Sequence, residues 1–351
     1  MDGLHVVVTG ATGNIGTSLI RLLSGDDRVA SILGVAGRPP QWRVPKTEFA
    51  AADLAEDELD PLLEGRGAVV HLAWLMQPTR DPLATWRANV VGSKRLFEAV
   101  ARSEAKTLVH GSSVGAYSPR VDHRAVDEAW PTDGWPGAAY TREKAYVERL
   151  LDLFEERNPH VRSARMRPAF VFKRKAAAEQ RRLFAGPLLP GRLVRPRMVP
   201  AMPVVDGVRF QAVHADDLAE AFRSVLFGTA SGAFNVAGES MTDMRSIAAM
   251  LGARAVPMPF AAARAALAAA WRTRMVPAPP ELLDVVTRLP VMDTARVRRE
   301  LGWVSHHTAD EAFAEFIEGL RTGAGGPTPP LRPEVEGGRL GEFATGVGER
   351  P

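Results

Sequence analysis

The first residues of the chain contain a strand, a glycine-spaced turn and the start of a helix. Val6-Val7-Val8 predicts a strand with both faces buried, and glycines follow at positions 10, 13 and 16. Gly10 allows a tight turn, Gly13 lets the backbone approach a pyrophosphate, and Gly16 lets the helix pack closely on the sheet. The helix N-terminus then offers N–H groups to an anion. This GxxGxxG turn predicts a dinucleotide site, and a similar turn without a ligand is the alternative.

The choice of dinucleotide depends on the end of the second strand, Val35-Ala36-Gly37-Arg38. An acidic residue at this point binds the ribose of NAD, whereas a guanidinium pairs with the 2′-phosphate of NADP. We therefore favour NADP(H), with NAD(H) and an exposed loop arginine as the alternative. Asp53 follows the third strand, where it is placed to accept from the adenine amino group or to cap a helix.

Strands and helices alternate along the first half of the chain. Apolar, β-branched runs predict strands, and segments of helical periodicity lie between them. The strands are predicted at His5–Thr9, Ile32–Ala36, Ala68–Ala73, Thr107–Gly111 and Arg162–Phe172, and the longer helices at Ile15–Leu23, Leu83–Arg102 and Ala138–Glu156. This order is typical of an α/β protein with a Rossmann-type doubly wound parallel sheet.

The domain organisation follows from where this pattern changes. We expect residues 1–172 to form the dinucleotide-binding domain, with the 208–240 segment returning to it. Residues 173–322 would form mainly a smaller C-terminal α/β substrate-binding lobe. Residues 323–351 are rich in Gly and Pro and poor in apolar side chains, which predicts a disordered tail.

Residues 173–203 show little periodicity and predict a long loop or lid. Their basic residues are Lys173, Arg174, Lys175, Arg181, Arg182, Arg192, Arg195 and Arg197. We interpret this charge run as a solvated loop, and binding of an anionic substrate is the alternative.

Tyr140 and Lys144 are four residues apart at the start of a predicted helix, so their side chains share one face. A phenol is a poor base at neutral pH, and a neighbouring ammonium lowers its pKa. Lys144 can also bond the nicotinamide ribose. Ser112 and Ser113 follow the strand Thr107–Gly111, and ligands bind beyond the carboxyl ends of parallel strands. One of these hydroxyls could hold a carbonyl oxygen, or both could be ordinary turn serines.

With these pieces together, the sequence resembles the extended short-chain dehydrogenase/reductase family, in its epimerase/dehydratase branch. The resemblance covers about residues 4–322 and is specific because many motifs match in order. They are Thr9–Gly16, Asp53-Leu54, His71-Leu72-Ala73, Asn89-Val90-Val91-Gly92, Ser112–Tyr117, Tyr140–Lys144, Arg167-Pro168, Val213–Leu218, Phe234-Asn235-Val236 and Leu301-Gly302-Trp303.

The resemblance implies a role for particular residues. Ser113 matches the catalytic Ser/Thr, Tyr140 the general acid/base and Lys144 its partner. The cofactor-binding set that it implies, together with the turn and strand residues above, is Gly10, Thr12, Gly13, Asn14, Ile15, Gly16, Arg38, Asp53, Leu54, Leu72, Ala73, Trp74, Asn89, Lys144 and Pro168. Members of the family commonly dimerise through the helices that here contain residues 83–102 and 138–156, so we expect a homodimer.

Departures from the family pattern narrow the reaction. Dehydratases carry an Asp-Glu pair after the catalytic Ser/Thr, whereas Val114 and Gly115 follow Ser113 here, so we do not expect dehydration. Sugar-nucleotide members carry an Asn where this chain has Phe170, and Lys173 replaces a usual Gly. Phe170 therefore suggests a less polar substrate or a differently placed one. We expect the substrate site to include Ser113 and Phe170, and Trp74 could form one of its walls.

Composition excludes several other classes of site and partner. The chain has no cysteine, which excludes disulfides and thiolate chemistry, and we expect no metal site. Its 44 basic and 41 acidic residues are mixed, so we expect no nucleic-acid partner. The apolar stretch Phe260–Trp271 contains Arg264 and is too short to span a bilayer. No signal peptide is evident, and we expect a cytoplasmic protein that does not bind membranes.

The sequence thus predicts an NADP(H)-dependent oxidoreductase that transfers hydride to or from the carbonyl or hydroxyl carbon of a small molecule. A nucleotide-sugar 4-epimerase that retains NAD is the first alternative. A non-catalytic dinucleotide sensor is the second, although such proteins often lose the Tyr or the Lys that this chain keeps.

Overall fold

The structure is a computed structural model that describes residues 3–78, 80–189, 191, 198–335 and 337–348. Its strands are β1 (Leu4–Thr9), β2 (Val29–Ala36), β3 (Thr47–Ala51), β4 (Ala68–His71), β5 (Thr107–Gly111), β6 (Ala125–Val126), β7 (Arg162–Pro168), β8 (Phe170–Phe172), β9 (Ala201–Val204), β10 (Arg209–His214), β11 (Gly232–Val236), β12 (Met241–Asp243), β13 (Arg254–Pro257) and β14 (Val291–Met292). Its helices are α1 (Asn14–Ser24), α2 (Asp60–Leu63), α3 (Pro82–Trp86), α4 (Gly92–Arg102), α5 (Ala139–Arg157), α6 (Ala177–Gln180), α7 (Ala215–Phe227), α8 (Met244–Met250), α9 (Phe260–Arg272), α10 (Glu281–Arg288), α11 (Ala295–Leu301), α12 (Ala309–Thr322) and α13 (Gly338–Thr345). Across these described ranges, no helix is both long and apolar enough to cross a membrane.

The central sheet has seven parallel strands in the order β11-β7-β5-β4-β1-β2-β3. The strand order reverses at β1 and β4, and in such sheets this switch point opens a ligand crevice at the carboxyl ends of the strands. The Rossmann-type doubly wound sheet predicted from the sequence is confirmed.

The valines of β1 explain why this strand is apolar throughout. Val6 and Val8 pack in one core cluster with α1 and α7, while Val7 packs in a second cluster with α4 and α5. Successive side chains of a strand point to opposite faces, so a sheet covered by helices on both sides needs apolar residues at every position.

The smaller sheets lie beyond β7. One contains β12, β10 and β8, and the pairs β13–β9 and β14–β6 form two others. The prediction of one strand over 162–172 is wrong, because the chain changes sheets at Ala169. Pro168 has no N–H to continue the ladder, Ala169 N donates to Val236 O at 2.9 Å, and β8 pairs with β10 instead.

The helix predicted over 83–102 is interrupted by a π-helical turn at Arg87–Val91. The turn contains Asn89, whose side chain bonds both backbone groups of Leu75. Such bulges occur where a side chain must be presented out of helical register.

Residues 173–203, predicted to be a solvated loop, begin instead with a partly buried helical stretch, in which Arg174 and Lys175 are exposed as predicted. It comprises a 3₁₀ turn at Arg174–Ala176, α6 and a π-helical turn at Arg181–Ala185. Arg181 pairs with Glu342, and Arg182 donates to the carbonyls of two tail residues, so both guanidiniums are buried with partners. Arg192, Arg195 and Arg197 lie outside the described residues.

The tail also differs from its prediction of disorder over 323–351. Its described part contains a 3₁₀ turn at Pro329–Leu331 and α13. Thr328 and Leu331 are buried, and Thr328 Oγ1 donates to Thr12 O at 2.7 Å. Composition alone could not reveal this packing, because the partners of the tail lie in distant parts of the chain.

Candidate functional site

The glycine turn joins β1 to α1 and packs against the end of β4. Gly10 has φ +68°, and a Cβ there would lie 2.5 Å from Ala73 N, so the fold itself requires glycine at this position. Gly13 is different, because its φ is −80° and the nearest protein atom to an added Cβ is Gly10 O at 3.5 Å. The protein leaves space over Gly13, which fits the close approach of a pyrophosphate.

The first turn of α1 has a positive environment. Its N-cap, Gly13, supplies no capping side chain, so N–H groups of the first turn are available to an anion. Lys173 Nζ donates to Asn14 O, to Thr17 Oγ1 at 2.8 Å and to Ser18 Oγ at 2.9 Å. Burial lowers the pKa of Lys173 to about 8. The lysine that departs from the family pattern therefore supports the dinucleotide turn.

The other residues predicted around the turn fall on the same edge of the sheet. Asn14 Nδ2 donates to Val171 O at 3.0 Å, and Ile15 packs against the core. Leu72 N donates to Thr9 O and Ala73 N to Thr9 Oγ1, which fixes the segment after β4 beside Gly10. These contacts place the predicted cofactor residues on both sides of the switch point.

Arg38 and Asp53 occupy the outer part of the same edge. Arg38 is exposed just after β2. It lies close enough to Arg182 that its charge helps burial to lower the pKa of Arg182. Asp53 is exposed, its Oδ1 accepts from Ala55 N at 2.9 Å, and Leu54 beside it is buried. Asp53 thus makes a local turn contact, and its contact with adenine stays a prediction.

The structure brings Tyr140 and Ser113 close together around Gly115. A Cβ built on Gly115 would lie 2.8 Å from the Tyr140 ring and 3.4 Å from Ser113 Oγ, and Ser113 Oγ accepts from Gly115 N at 3.0 Å. Burial raises the pKa of Tyr140 above its ordinary value, and the neighbouring Ser113 hydroxyl opposes this rise. The sequence argument expected Lys144 to lower that pKa, but in the structure burial outweighs any such effect.

Lys144 lies one turn beyond Tyr140 and is buried. Its Nζ donates to Gly111 O at 2.9 Å and sits 3.4 Å from the centre of the Trp74 ring. Burial lowers the pKa of Lys144 to about 7, while the carboxylates of Glu148 and Glu143 oppose this change. Trp74 also meets Tyr140 edge-on, with ring centres 5.9 Å apart. The predicted wall residue therefore contacts both members of the pair.

Helix α5 is held by a buried network of charges that the sequence analysis did not predict. Glu148 accepts from Ser112 Oγ at 2.5 Å, from Arg165 at 2.9 Å and from Arg167 at 2.9 and 2.8 Å. Burial alone would raise the pKa of Glu148, but the bonds and charges of Arg167 and Arg165 bring it to about 2. Residues 140, 144 and 148 share one helical face, and this spacing was the signal that could have identified Glu148.

A second missed contact connects α5 with the π-helical turn. Asn89 Nδ2 donates to Glu143 Oε2 at 2.6 Å and to Leu75 O at 2.8 Å, and Thr85 Oγ1 donates to Glu143 Oε1 at 2.6 Å. Burial raises the pKa of Glu143, and these two donors oppose that rise. Asn89 therefore connects the segment after β4 to helix α5 through its bonds to Leu75 and Glu143.

Pro168 and Phe170 lie on the other side of Ser113. Pro168 ends β7 and is buried, while the ring of Phe170 packs on Phe210 with centres 5.0 Å apart. Phe170 and Val114 line a cavity of only about 10 Å³. Phe170 is thus part of a packed aromatic cluster with little space beside it.

A larger cavity of about 270 Å³ opens on the other side of Tyr140. It lies between the segment after β4, the start of α5, and helices α9 and α10. Its lining residues are Leu75, Met76, Pro78, Arg80, Pro82, Thr85, Gly137, Ala138, Ala139, Tyr140, Arg142, Glu143, Leu183, Phe184, Trp271, Pro279, Glu281 and Leu282. Trp74, Ser113 and Phe170 are not among these lining residues.

Comparison with known proteins identifies the relatives of this chain. The NAD dependent epimerase/dehydratase family matches residues 6–237. A UDP-glucose 4-epimerase of Mycolicibacterium smegmatis is 28% identical over 341 residues, which cover 91% of this chain and 99% of that protein. A putative dihydroflavonol 4-reductase of Synechocystis sp. is 28% identical over 148 residues, and the match spans only 42% of its length and 40% of this chain.

Solved structures show the same fold at low identity. MoeE5 in complex with UDP-glucuronic acid and NAD has a TM-score of 0.68 at 22% identity, with 91% of this chain and 99% of that chain covered. The UDP-glucose 4-epimerase of Thermus thermophilus in complex with NAD has a TM-score of 0.67 at 19% identity, with the same coverage.

Proposed function

Since the chain belongs to the NAD dependent epimerase/dehydratase family, we propose that it is an NADP(H)-dependent oxidoreductase acting on the carbonyl or hydroxyl carbon of a small molecule. The observation that carries this proposal is the contact between Tyr140 and Ser113 beside a buried Lys144. These groups lie near the carboxyl ends of parallel strands, next to a glycine turn with space over Gly13.

In the proposed reaction, each of these side chains has a separate role. Ser113 Oγ and the Tyr140 hydroxyl hold the substrate oxygen, and Tyr140 gives or takes its proton. Lys144 supplies a nearby charge and a donor toward the nicotinamide ribose, and Trp74 fixes the position of its ammonium. When bound, the nicotinamide supplies or accepts the hydride at the carbon. In the reducing direction a C–H and an O–H bond form as the carbonyl π bond breaks, and the cofactor is oxidised.

The residues around the turn fit the cofactor. The first turn of α1, with Lys173 beneath it, would hold the pyrophosphate, and Asp53 would meet the adenine. Arg38 would pair with a 2′-phosphate, which supports NADP(H), although the related structures contain NAD. Retention of NAD(H) is therefore the alternative for the cofactor.

The experiment that tests this proposal replaces Tyr140. With a panel of carbonyl substrates and NADPH or NADH, Tyr140→Phe should lower kcat about 10³-fold because it removes the proton donor. Cofactor binding, followed by calorimetry, should not change. Tyr146→Phe is the matched control, since Tyr146 is an exposed tyrosine on the same helix, and it should retain activity. Retention of more than a tenth of the activity by Tyr140→Phe would refute the assignment.

The second candidate is a nucleotide-sugar 4-epimerase, which would use the same three side chains. It is favoured by the epimerase of Mycolicibacterium smegmatis, whose similarity extends over 99% of its length. An epimerase would purify with tightly retained NAD and would interconvert UDP-glucose and UDP-galactose without added cofactor. A reductase would exchange NADPH freely and consume it.

A homodimer is also part of the proposal. Helix α5 exposes Tyr146 and Leu153, and the neighbouring segment exposes Leu83 and Val91. Apolar side chains exposed on neighbouring helical segments are a feature of subunit interfaces, and these segments are the ones from which we predicted the dimer. Light scattering should give the mass of two chains, and Tyr146→Glu combined with Leu153→Glu should give one.

A further inference from the structure

The cavity beside Tyr140 is lined mainly by apolar side chains. Leu75 and Met76 form one wall, Leu183 and Phe184 a second, and Trp271 and Leu282 a third. These residues come from four separate parts of the chain and line one cavity together with Tyr140. Ligand sites of this kind bind apolar groups and use a few polar atoms to orient them.

The two arginines and the buried glutamate of the lining are already engaged within the protein. The guanidinium of Arg80 lies 4.2 Å from the centre of the Trp271 ring and donates to Trp271 O. Arg142 donates to Pro136 O at 2.6 Å, and Glu143 accepts from Thr85 and Asn89. A diphosphate placed here would also face the carboxylates of Glu143 and Glu281. The cavity is therefore poorly suited to the charged part of a sugar nucleotide.

The size of the cavity limits what it can hold. Its volume is about 270 Å³. A dry apolar cavity of about 150 Å³ holds one benzene molecule, so this one suits roughly two fused rings or ten carbons. Each buried methylene contributes about 0.8 kcal/mol, or roughly a fourfold gain in affinity.

We infer that this cavity binds the hydrocarbon part of the substrate, so that the enzyme acts on a hydrophobic ketone or alcohol of about two rings. This inference rests on the proposed function, because it identifies the cavity beside Tyr140 as the substrate site. It does not depend on which direction the reaction runs.

The first experiment compares ketones of different size. NADPH- or NADH-dependent reduction of 2-decalone should exceed that of cyclohexanone by about 10² in kcat/KM, because four more carbons enter the cavity. Calorimetry should show binding of 2-decalone to the wild-type protein and no competition from UDP-glucose. Equal kcat/KM for the two ketones, or displacement of 2-decalone by UDP-glucose, would overturn the inference.

Two variants of Leu282 test the location of the site. Leu282→Trp should narrow the cavity by placing a larger ring in its wall, so that 2-decalone binding falls at least tenfold. Leu282→Asp should weaken both ketones by placing a carboxylate in the apolar wall. Val304→Asp, at an exposed position outside the cavity, is the matched control and should change neither. Unaltered 2-decalone binding by Leu282→Trp would exclude this cavity as the site.

The outcomes separate the inference from the proposed function. If 2-decalone binds and Leu282→Trp blocks it, but no ketone is reduced with either cofactor, the cavity assignment stands and the oxidoreductase proposal fails. If small polar carbonyls are reduced without any dependence on size, the oxidoreductase proposal stands and the cavity assignment fails.

Discussion

Helix α5 and residues 328–332 of the C-terminal tail are both anchored to distant parts of the chain, and different forces hold them. Helix α5 is fixed by buried charge, with Glu148 bonded to Arg165, Arg167 and Ser112. Residues 328–332 are fixed by bonds to backbone carbonyls, since Arg182 donates to Pro330 O and Arg332 O, and Thr328 donates to Thr12 O.

The two regions differ in which groups are left unpaired when one bonding side chain is substituted. Loss of the Glu148 carboxylate removes the counter-charge of the buried Arg167 and leaves Arg165 with only the partly exposed carboxylates of Asp152 and Glu155, which is a large cost in a protein interior. Loss of a hydroxyl leaves one carbonyl without a donor, which costs less. We therefore expect helix α5 to respond more strongly to substitution at Glu148 than the tail does at Thr328.

The largest effect is expected for Glu148→Gln. Because Glu148 is fully buried between Arg165 and Arg167, the substitution should lower the free energy of unfolding by about 3–5 kcal/mol. Urea denaturation followed by circular dichroism measures this change. Glu155→Gln is the control, since Glu155 also pairs with Arg165 but is one-third exposed, and it should cost under about 1 kcal/mol. Equal effects of the two variants would show that burial of the charge is not decisive.

Helix α5 and the glycine turn could be predicted from the sequence because the patterns that indicate them span only a few residues. The spacing of Tyr140 and Lys144 placed both on one helical face, and the glycine turn predicted its own strand and helix. The tail gave no such signal. Thr328 and Thr12 are 316 residues apart, and Arg182 and Pro330 are 148 apart, so no periodicity connects them. The charges of Arg181 and Arg182 predicted exposure to solvent, because the sequence does not reveal their distant bonding partners.

The second effect concerns Lys144, which is buried as part of the same helix. Its pKa is about 7 in the folded protein and near 10.5 in the unfolded chain, so the unfolded state binds more protons between these values. Wild-type stability therefore falls as the pH is lowered through this window. The difference in unfolding free energy, Lys144→Met minus wild type, should rise by about 3 kcal/mol between pH 9.5 and pH 7.

Urea denaturation at several pH values measures this difference. Lys94→Met is the control, because Lys94 is exposed on α4 and its variant should keep a constant difference from wild type. A Lys144→Met curve parallel to that of the wild type would contradict the lowered pKa.

The tail should give a smaller effect. Thr328→Val leaves Thr12 O without its donor, so we expect a loss of about 2 kcal/mol in unfolding free energy. Because Thr12 belongs to the glycine turn, cofactor affinity measured by calorimetry should fall as well. Thr322→Val is the matched control, since this exposed threonine bonds only within α12 and to Arg174, and it should cost under about 0.5 kcal/mol. If Thr328→Val lowered the unfolding free energy as much as Glu148→Gln does, the expected difference between the two regions would be contradicted.

The smallest effect is expected at Arg38, close to Arg182 and the tail residues that Arg182 bonds. Arg38 is exposed after β2, where our proposal places the 2′-phosphate of NADP(H). A hydrogen bond to a charged group contributes about 1.5–3 kcal/mol, so Arg38→Ala should lower the ratio of NADPH to NADH affinity about tenfold. Arg43→Ala removes the same charge from an exposed position later in the same β2–β3 connection and should leave the ratio unchanged. If Arg38→Ala also leaves the ratio unchanged, the guanidinium after β2 does not select the cofactor, and NAD(H) becomes the preferred assignment.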